Sequence, residues 1–294
     1  MPAYIRDLGK PNSRFNGVQI GVITYSFRTM PESAEALLRY CIEAGVSAVE
    51  LMGYPAEVFV GAPRPPSKIG NEEEDKAALE TYVAELSTWR STVPMARFEQ
   101  LRKMYNRAGV KIFGFKPSAL RITNTDADID YAFRAAKALG ANQANLEFPP
   151  DEAQTERLGR IAARNKVYVG YHGHLQQTFD MWDNAFRQSK YNAANFDMGH
   201  YVAAGFDPID FMKAKHQRIV SMHVKDRKSK ANGGANLPWG QGDTPIAEAL
   251  QLMARRNYKF PATIELEYPI PDGSNAVKEV AKCVEFARTV LGSD

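Results

Sequence analysis

The sequence predicts a single (β/α)8 TIM barrel, an α/β fold, on three observations. Strand-like apolar runs alternate with amphipathic helical stretches eight times between residue 18 and the C-terminus. Composition does not shift along the chain, so no second domain is marked. No glycine-rich phosphate turn follows the first strand, as the runner-up fold, a doubly wound sheet, would normally have. The 294 residues suit one such barrel, which needs about 250. Residues 1–17 are polar and read as an N-terminal extension, leaving 18–294 for the barrel.

The elements follow in order. Residues 18–27 (VQIGVITYSF) form the first strand, and Pro31-Glu32-Ser33 opens a helix that Gly45 stops. Residues 47–52 are the second strand, and 71–90 and 95–108 two helices, the first strongly charged. Strand three is 110–116, followed by helix 126–139, which Gly140 ends. Strand four (143–148), helix 151–165, strand five (166–172) and helix 175–189 continue the rhythm. Strand six (194–198), helix 208–216 and strand seven (218–224) come next. Helix 245–256, strand eight (262–267) and helix 274–291 complete it. Segments 53–70 and 225–243 are the long loops, and long ordered loops tend to be functional.

Bulk chemistry narrows the partners. With 37 basic and 34 acidic residues, the net charge of +3 gives no pull toward nucleic acid or an anionic membrane. No apolar run approaches the ~20 residues of a membrane span, and no signal peptide is visible. The chain therefore reads as soluble, cytoplasmic as given, or periplasmic if an export signal was removed. Cys41 and Cys283 both sit in helical stretches and read as buried free thiols, not a disulfide framework.

In such a barrel, chemistry sits at the C-terminal ends of the strands. Here those ends carry Tyr25, Glu50, Lys116, Glu147, His172 and His174. Strands six to eight add Asp197, His200, His223, Lys225, Glu265 and Glu267. Four of the five histidines lie at strand ends, whereas chance would scatter them along helices and loops. Carboxylates and imidazoles without a thiolate suit one divalent ion, Mn, Mg, Co or Zn, and make a structural zinc site a poor reading. A dication would also compensate buried carboxylates, which are costly alone.

The ordered series Asn145-Leu146-Glu147, Tyr171-His172-Gly173-His174, Asn195-Phe196-Asp197-Met198-Gly199-His200, His223-Val224-Lys225-Asp226, Gly240-Gln241-Gly242-Asp243 and Thr263-Ile264-Glu265-Leu266-Glu267 resembles the xylose-isomerase-like barrels of sugar phosphate isomerases and epimerases. That family also includes inosose dehydratases and endonuclease IV. The resemblance covers residues from about 140 onward, and the first third matches only in rhythm. It implies metal ligands at Glu147, Asp197, His223 and Glu265, with Glu267 the alternative on strand eight. It implies substrate contacts at His172, His174 and His200, and Glu147 and Glu265 as acid and base. Lys116, Lys225, Trp239, Glu50 and Tyr25 complete the expected substrate-binding set. Two family features are unmatched: a substrate-binding Glu shortly after strand four, and an Arg after the strand-seven His, though Arg227 lies close.

The expected activity is isomerisation or epimerisation of a sugar or keto-sugar through an enediolate. The alternatives are a lyase or dehydratase using the same enolate, and a non-catalytic sugar-binding barrel. A DNA-repair endonuclease would need more metal ligands and a basic groove. The expected partner is a small sugar, with a homo-oligomer left open.

Overall fold

A computed structural model of the chain describes residues 9–67 and 70–292. Eight parallel strands form the barrel: β1 (Val18–Ile23), β2 (Ala48–Met52), β3 (Lys111–Lys116), β4 (Gln143–Glu147), β5 (Tyr168–His172), β6 (Asn192–Asp197), β7 (Ile219–Val224) and β8 (Ala262–Ile264). Each pairs with its successor, and β8 closes on β1 with Ala262 opposite Ile20 and Ile264 opposite Val22. Of the expected extension, residues 1–8 lie outside the described residues. Arg14–Phe15 adds antiparallel to β1, and the buried Ser13 hydroxyl donates to Ile20 O at 2.7 Å.

Helices α1 (Ala34–Glu43), α2 (Gly53–Phe59), α3 (Glu72–Thr92), α4 (Met95–Arg107), α5 (Asp126–Leu139) and α6 (Glu152–Asn165) cover the first half. The second half carries α7 (Asp183–Gln188), α8 (Met198–Ala204), α9 (Pro208–Lys215), α10 (Ile246–Arg256) and α11 (Ala276–Leu291). Local chemistry sets their ends. Ser33 caps α1, Thr125 and Asp128 form a reciprocal capping box on α5, and Gly140 closes α5 in the left-handed region at φ 81°. The apolar core lies between strands and helices. There Trp89, Phe98, Phe115 and Tyr131 pack edge to face, each buried ring contributing about 1.5–3 kcal/mol. Cys41 and Cys283 are buried free thiols in this layer. Among the described residues no helix is long and apolar enough to cross a membrane.

Five elements differ from the sequence expectation, and side-chain hydrogen bonds explain most of the differences. Strand one stops at Ile23, and residues 24–27 turn into a short 3₁₀ helix, because the Thr24 and Ser26 hydroxyls accept from Met52 N and Leu266 N. The helix expected over 175–189 shrinks to α7. Upstream of it, Thr178 bonds Asp180, and the Gln177 amide reaches Asp197 O, offering the backbone an alternative to a helix. Strand six runs directly into α8, since Asp197 accepts from His200 N at 2.7 Å and so caps a new helix. The expected loop 53–70 contains α2, and strand eight ends at Ile264, one residue before Glu265.

Candidate metal and active site

The C-terminal mouth of the barrel gathers most of the strand-end residues into one buried cluster. His223, at the end of β7, is fully buried and held on both ring nitrogens. Nε2 lies 2.9 Å from Glu50 Oε2 on β2, and Nδ1 lies 2.9 Å from Glu265 Oε2. Burial alone would favour the neutral ring, but the two carboxylates outweigh it and push the pKa up to about 10. Glu50, also fully buried, accepts from Asn195 Nδ2 at 3.2 Å. It lies beneath His223 and orients it, rather than facing the cleft.

Two residues on, and therefore on the same strand face, Lys225 carries its ammonium into the acids. Its Nζ is 3.0 Å from Asp197 Oδ2, 2.7 Å from Glu265 Oε2 and 2.7 Å from Glu267 Oε2. Burial opposes that charge, yet the three carboxylates hold the ammonium above its ordinary pKa. In return, Lys225 and His223 keep Glu265 ionised well below the usual carboxylate range, despite its burial. Asp197 goes the other way, raised by burial.

His172, at the end of β5, places Nε2 3.9 Å from Asp197 Oδ2 and leaves its buried Nδ1 without a hydrogen bond. Burial, followed by the neighbouring cations, holds its pKa far below the ordinary value, so the ring is neutral and offers a lone pair. One donor atom each from His172, Asp197, His223 and Glu265 lies within 4.8 Å of the others. The donor chemistry fits a divalent ion: two imidazoles and two carboxylates, with the buried His172 Nδ1 left without a hydrogen bond. Charge points the same way. Among the described residues, four carboxylates (Glu50, Asp197, Glu265 and Glu267) pair within 4.0 Å with the cationic side chains His223 and Lys225, and Lys116 adds a more distant positive charge.

The rim is wetter. Glu147 is half-exposed, with Lys116 Nζ 2.7 Å from Oε1 and His174 Nε2 3.4 Å from Oε2. Of the four ligands implied by resemblance, the structure thus brings Asp197, His223 and Glu265 together, with His172 as the fourth donor and Glu147 at the rim. Glu267 lies 3.5 Å from His200 Nε2. His200 also faces Lys225 at 3.1 Å and, on Nδ1, the Arg227 guanidinium. Burial, with Lys225 beside it, drives its pKa down to about 2. His174 and His200 stand ring to ring at 4.7 Å, so the rim is continuous from Lys116 to Arg227. Trp239 instead packs edge-on against Phe286, and Tyr25 is exposed beneath Arg28.

The loop after β7 is fastened by a residue with no predicted role. Asp226 accepts from the backbone N–H groups of Gly240, Gln241, Gly242 and Thr244 at 2.7–3.2 Å. A Cβ on Gly242 would collide with the Asp226 carboxylate, which explains the glycine there. Asp226 therefore fixes the backbone that presents Lys225 and Arg227. Its signal in the sequence was the pairing of the HVKD and GQGD motifs, neither of which specifies the contact.

Comparison with known proteins identifies the family and the fold. The family model described as xylose isomerase-like TIM barrel matches residues 38–288. The chain belongs to that family. An inosose dehydratase from Clostridium botulinum (strain Eklund 17B / Type B) is 27% identical over 131 residues, 38% of this chain and 44% of that protein. The chain thus spans about half the length of the curated relatives it matches. The probable 3-DHS dehydratase AsbF from Bacillus anthracis superposes with a TM-score of 0.64 at 16% identity, covering 91% of this chain and 98% of that one. The IolI protein, solved with a zinc atom, superposes with a TM-score of 0.60 at 14% identity, covering 93% and 98%. At these identities the structures show a shared fold.

Proposed function

We propose that the protein is a metal-dependent lyase that removes water from a keto-polyol. The observation carrying this reading is the convergence of His172, Asp197, His223 and Glu265 within 4.8 Å at the barrel mouth, beside the half-exposed Glu147. The zinc named in IolI supports a metal there. The relatives named as dehydratases move the balance from the isomerase expected on resemblance to its alternative, elimination.

Asp197, His223, Glu265 and His172 would hold the ion. A donor set with two imidazoles favours Zn, Co or Mn over Mg. Bound there, the ion would supply Lewis acidity that lowers the cost of negative charge on a carbonyl oxygen. The chain's own residues do the rest. Glu50 fixes the tautomer and direction of His223, leaving Nδ1 for the ligand position. Glu147, kept beside the Lys116 ammonium, takes the proton from the carbon next to the carbonyl. The same carboxyl group then returns that proton to the β-hydroxyl, which leaves as water. His174 and His200, on the rim, hold substrate hydroxyls. Glu265 has a different part from Glu147. With His223 and Lys225 bonded to it, it stays ionised and serves as a ligand and not as a proton carrier.

The test is incubation of the metal-loaded protein with inososes, 3-keto-sugars and ketoses in D₂O, followed by mass spectrometry. Loss of one water is the expected result. Deuterium at the α-carbon with the product otherwise isomeric would instead make the protein an isomerase, and no turnover of any keto-sugar by the loaded protein would make it a binding barrel.

A further inference from the structure

The opposite mouth of the barrel, where the strands begin, holds a cavity of about 640 Å³. Its wall includes Ala48, Lys111, Tyr168 and Ile219, the first residues of β2, β3, β5 and β7. Five cationic side chains line it, Arg14, Lys111, Lys190, Arg218 and Lys259, and no carboxylate does. The whole chain has nearly equal numbers of acids and bases, 34 against 37, so composition alone would not give an all-cation lining.

These charges are also uncompensated. Elsewhere on this protein Arg157 meets Asp126 and Lys215 meets Asp183. Among the described residues, none of the five cations of the cavity makes an ion pair within 4.0 Å. Arg218 is the most constrained. Its Nη2 donates to Ser189 O at 2.8 Å and Asn192 O at 2.6 Å, and its guanidinium stacks over Phe186 at 4.6 Å. It is thus fixed in direction, half-buried, and without a counter-charge. Desolvation lowers its pKa, as expected for a cation with no anion beside it. Like-charged groups gathered around one concavity repel each other, a cost that an anionic occupant removes. Phe113, Tyr168 and Phe260 supply apolar wall between the cations.

We propose that this N-terminal mouth is a binding site for a small, multiply charged phosphate ester. The cavity falls within the usual ligand-pocket range of about 300–1,000 Å³. Several separated cations match an anion carrying more than one phosphate, and the fixed Arg218 gives a directional donor. The site lies at the far end of the strands from the metal cluster, so it stands whether or not the lyase reading does.

Titration calorimetry with adenosine 3′,5′-bisphosphate tests this, using adenosine as the uncharged control. This probe has several phosphate charges but, with its phosphates separated, chelates metal weakly. The full-length protein should bind about one bisphosphate per chain, saturably, and adenosine far more weakly. The triple variant Lys111→Ala/Lys190→Ala/Lys259→Ala removes three side chains that make no buried contact, and should weaken binding about tenfold or more. His200→Ala, at the opposite mouth, should leave binding unchanged. Non-saturating binding, equal affinity for adenosine, or a triple variant that binds like the wild type would each overturn the proposal. So would loss of binding in His200→Ala, which would put the anion at the other mouth.

Discussion

The two mouths of this barrel are built from the same eight strands and carry opposite chemistry. At the C-terminal mouth, Glu50, Asp197, His223, Lys225 and Glu265 are buried and mutually bonded, with every charge facing another. At the N-terminal mouth, the cations line an open cavity with no acid among them. Buried, interlocked charge is expensive to assemble and fails when one partner is removed. Solvated charge is cheap and forgiving. Substitutions at the two ends should therefore differ both in size and in kind.

The largest effect belongs to the best-buried group. His223→Leu leaves Glu50 and Glu265 without their shared partner, and should cost about 3–5 kcal/mol of stability, the scale for breaking a buried pair. Urea unfolding of the metal-free protein measures this, and a loss under about 1 kcal/mol would mean the cluster is not interlocked. Next in size is the rim. Glu147→Gln keeps the shape of the side chain and removes the base, so turnover should fall at least about 10²-fold while metal content is retained. Loss of metal in this variant would return Glu147 to the ligand set that the resemblance implies and displace His172. His200→Ala should also retain metal and lose activity roughly ten- to a hundredfold, the size of one hydrogen bond to a charged or polarised group.

Lys225→Met sharpens the contrast within the cluster itself. The ammonium sits among the same carboxylates that would face the ion, so removing it should raise affinity for Zn or Mn about tenfold or more. The metal-free protein should become less stable at the same time. Chelator competition and thermal melts with and without metal read the two effects, and unchanged or weakened affinity would show that the lysine organises the site instead of competing for it. At the other extreme, Lys190→Ala in the basic mouth should change stability by less than about 0.5 kcal/mol and leave turnover alone.

How much of this was legible in the sequence depends on the kind of signal. The barrel was legible because alternation of strand and helix repeats eight times and each local period states its element. The strand-end histidines and acids were legible because a barrel places strand ends together whatever the loops do. What escaped was side-chain direction. Glu147 ends β4 as expected, but its carboxylate turns to Lys116 and His174, a choice made by neighbours distant in sequence. Glu50 read as a pocket residue because it is carried on β2, whereas the structure sets it under His223. The shortened α7 goes with Gln177 reaching Asp197 O on the next strand, and the new α8 with Asp197 capping His200 N three residues on, contacts that no helical period announces. The basic cavity escaped for the same reason: its five cations come from five separate segments and make no motif.

The central claim is that His172, Asp197, His223 and Glu265 together hold one divalent ion. Its most direct test is metal stoichiometry by elemental analysis, after EDTA stripping and reloading with Co, Zn or Mn, on the wild type and on His172→Ala and Asp197→Ala. Asp197→Ala also removes the cap of α8, so circular dichroism should first establish that each variant is folded. The account predicts about one ion per chain in the wild type and a large loss in both folded variants. A wild type that binds no ion, or a folded Asp197→Ala that still holds a full equivalent, would contradict it.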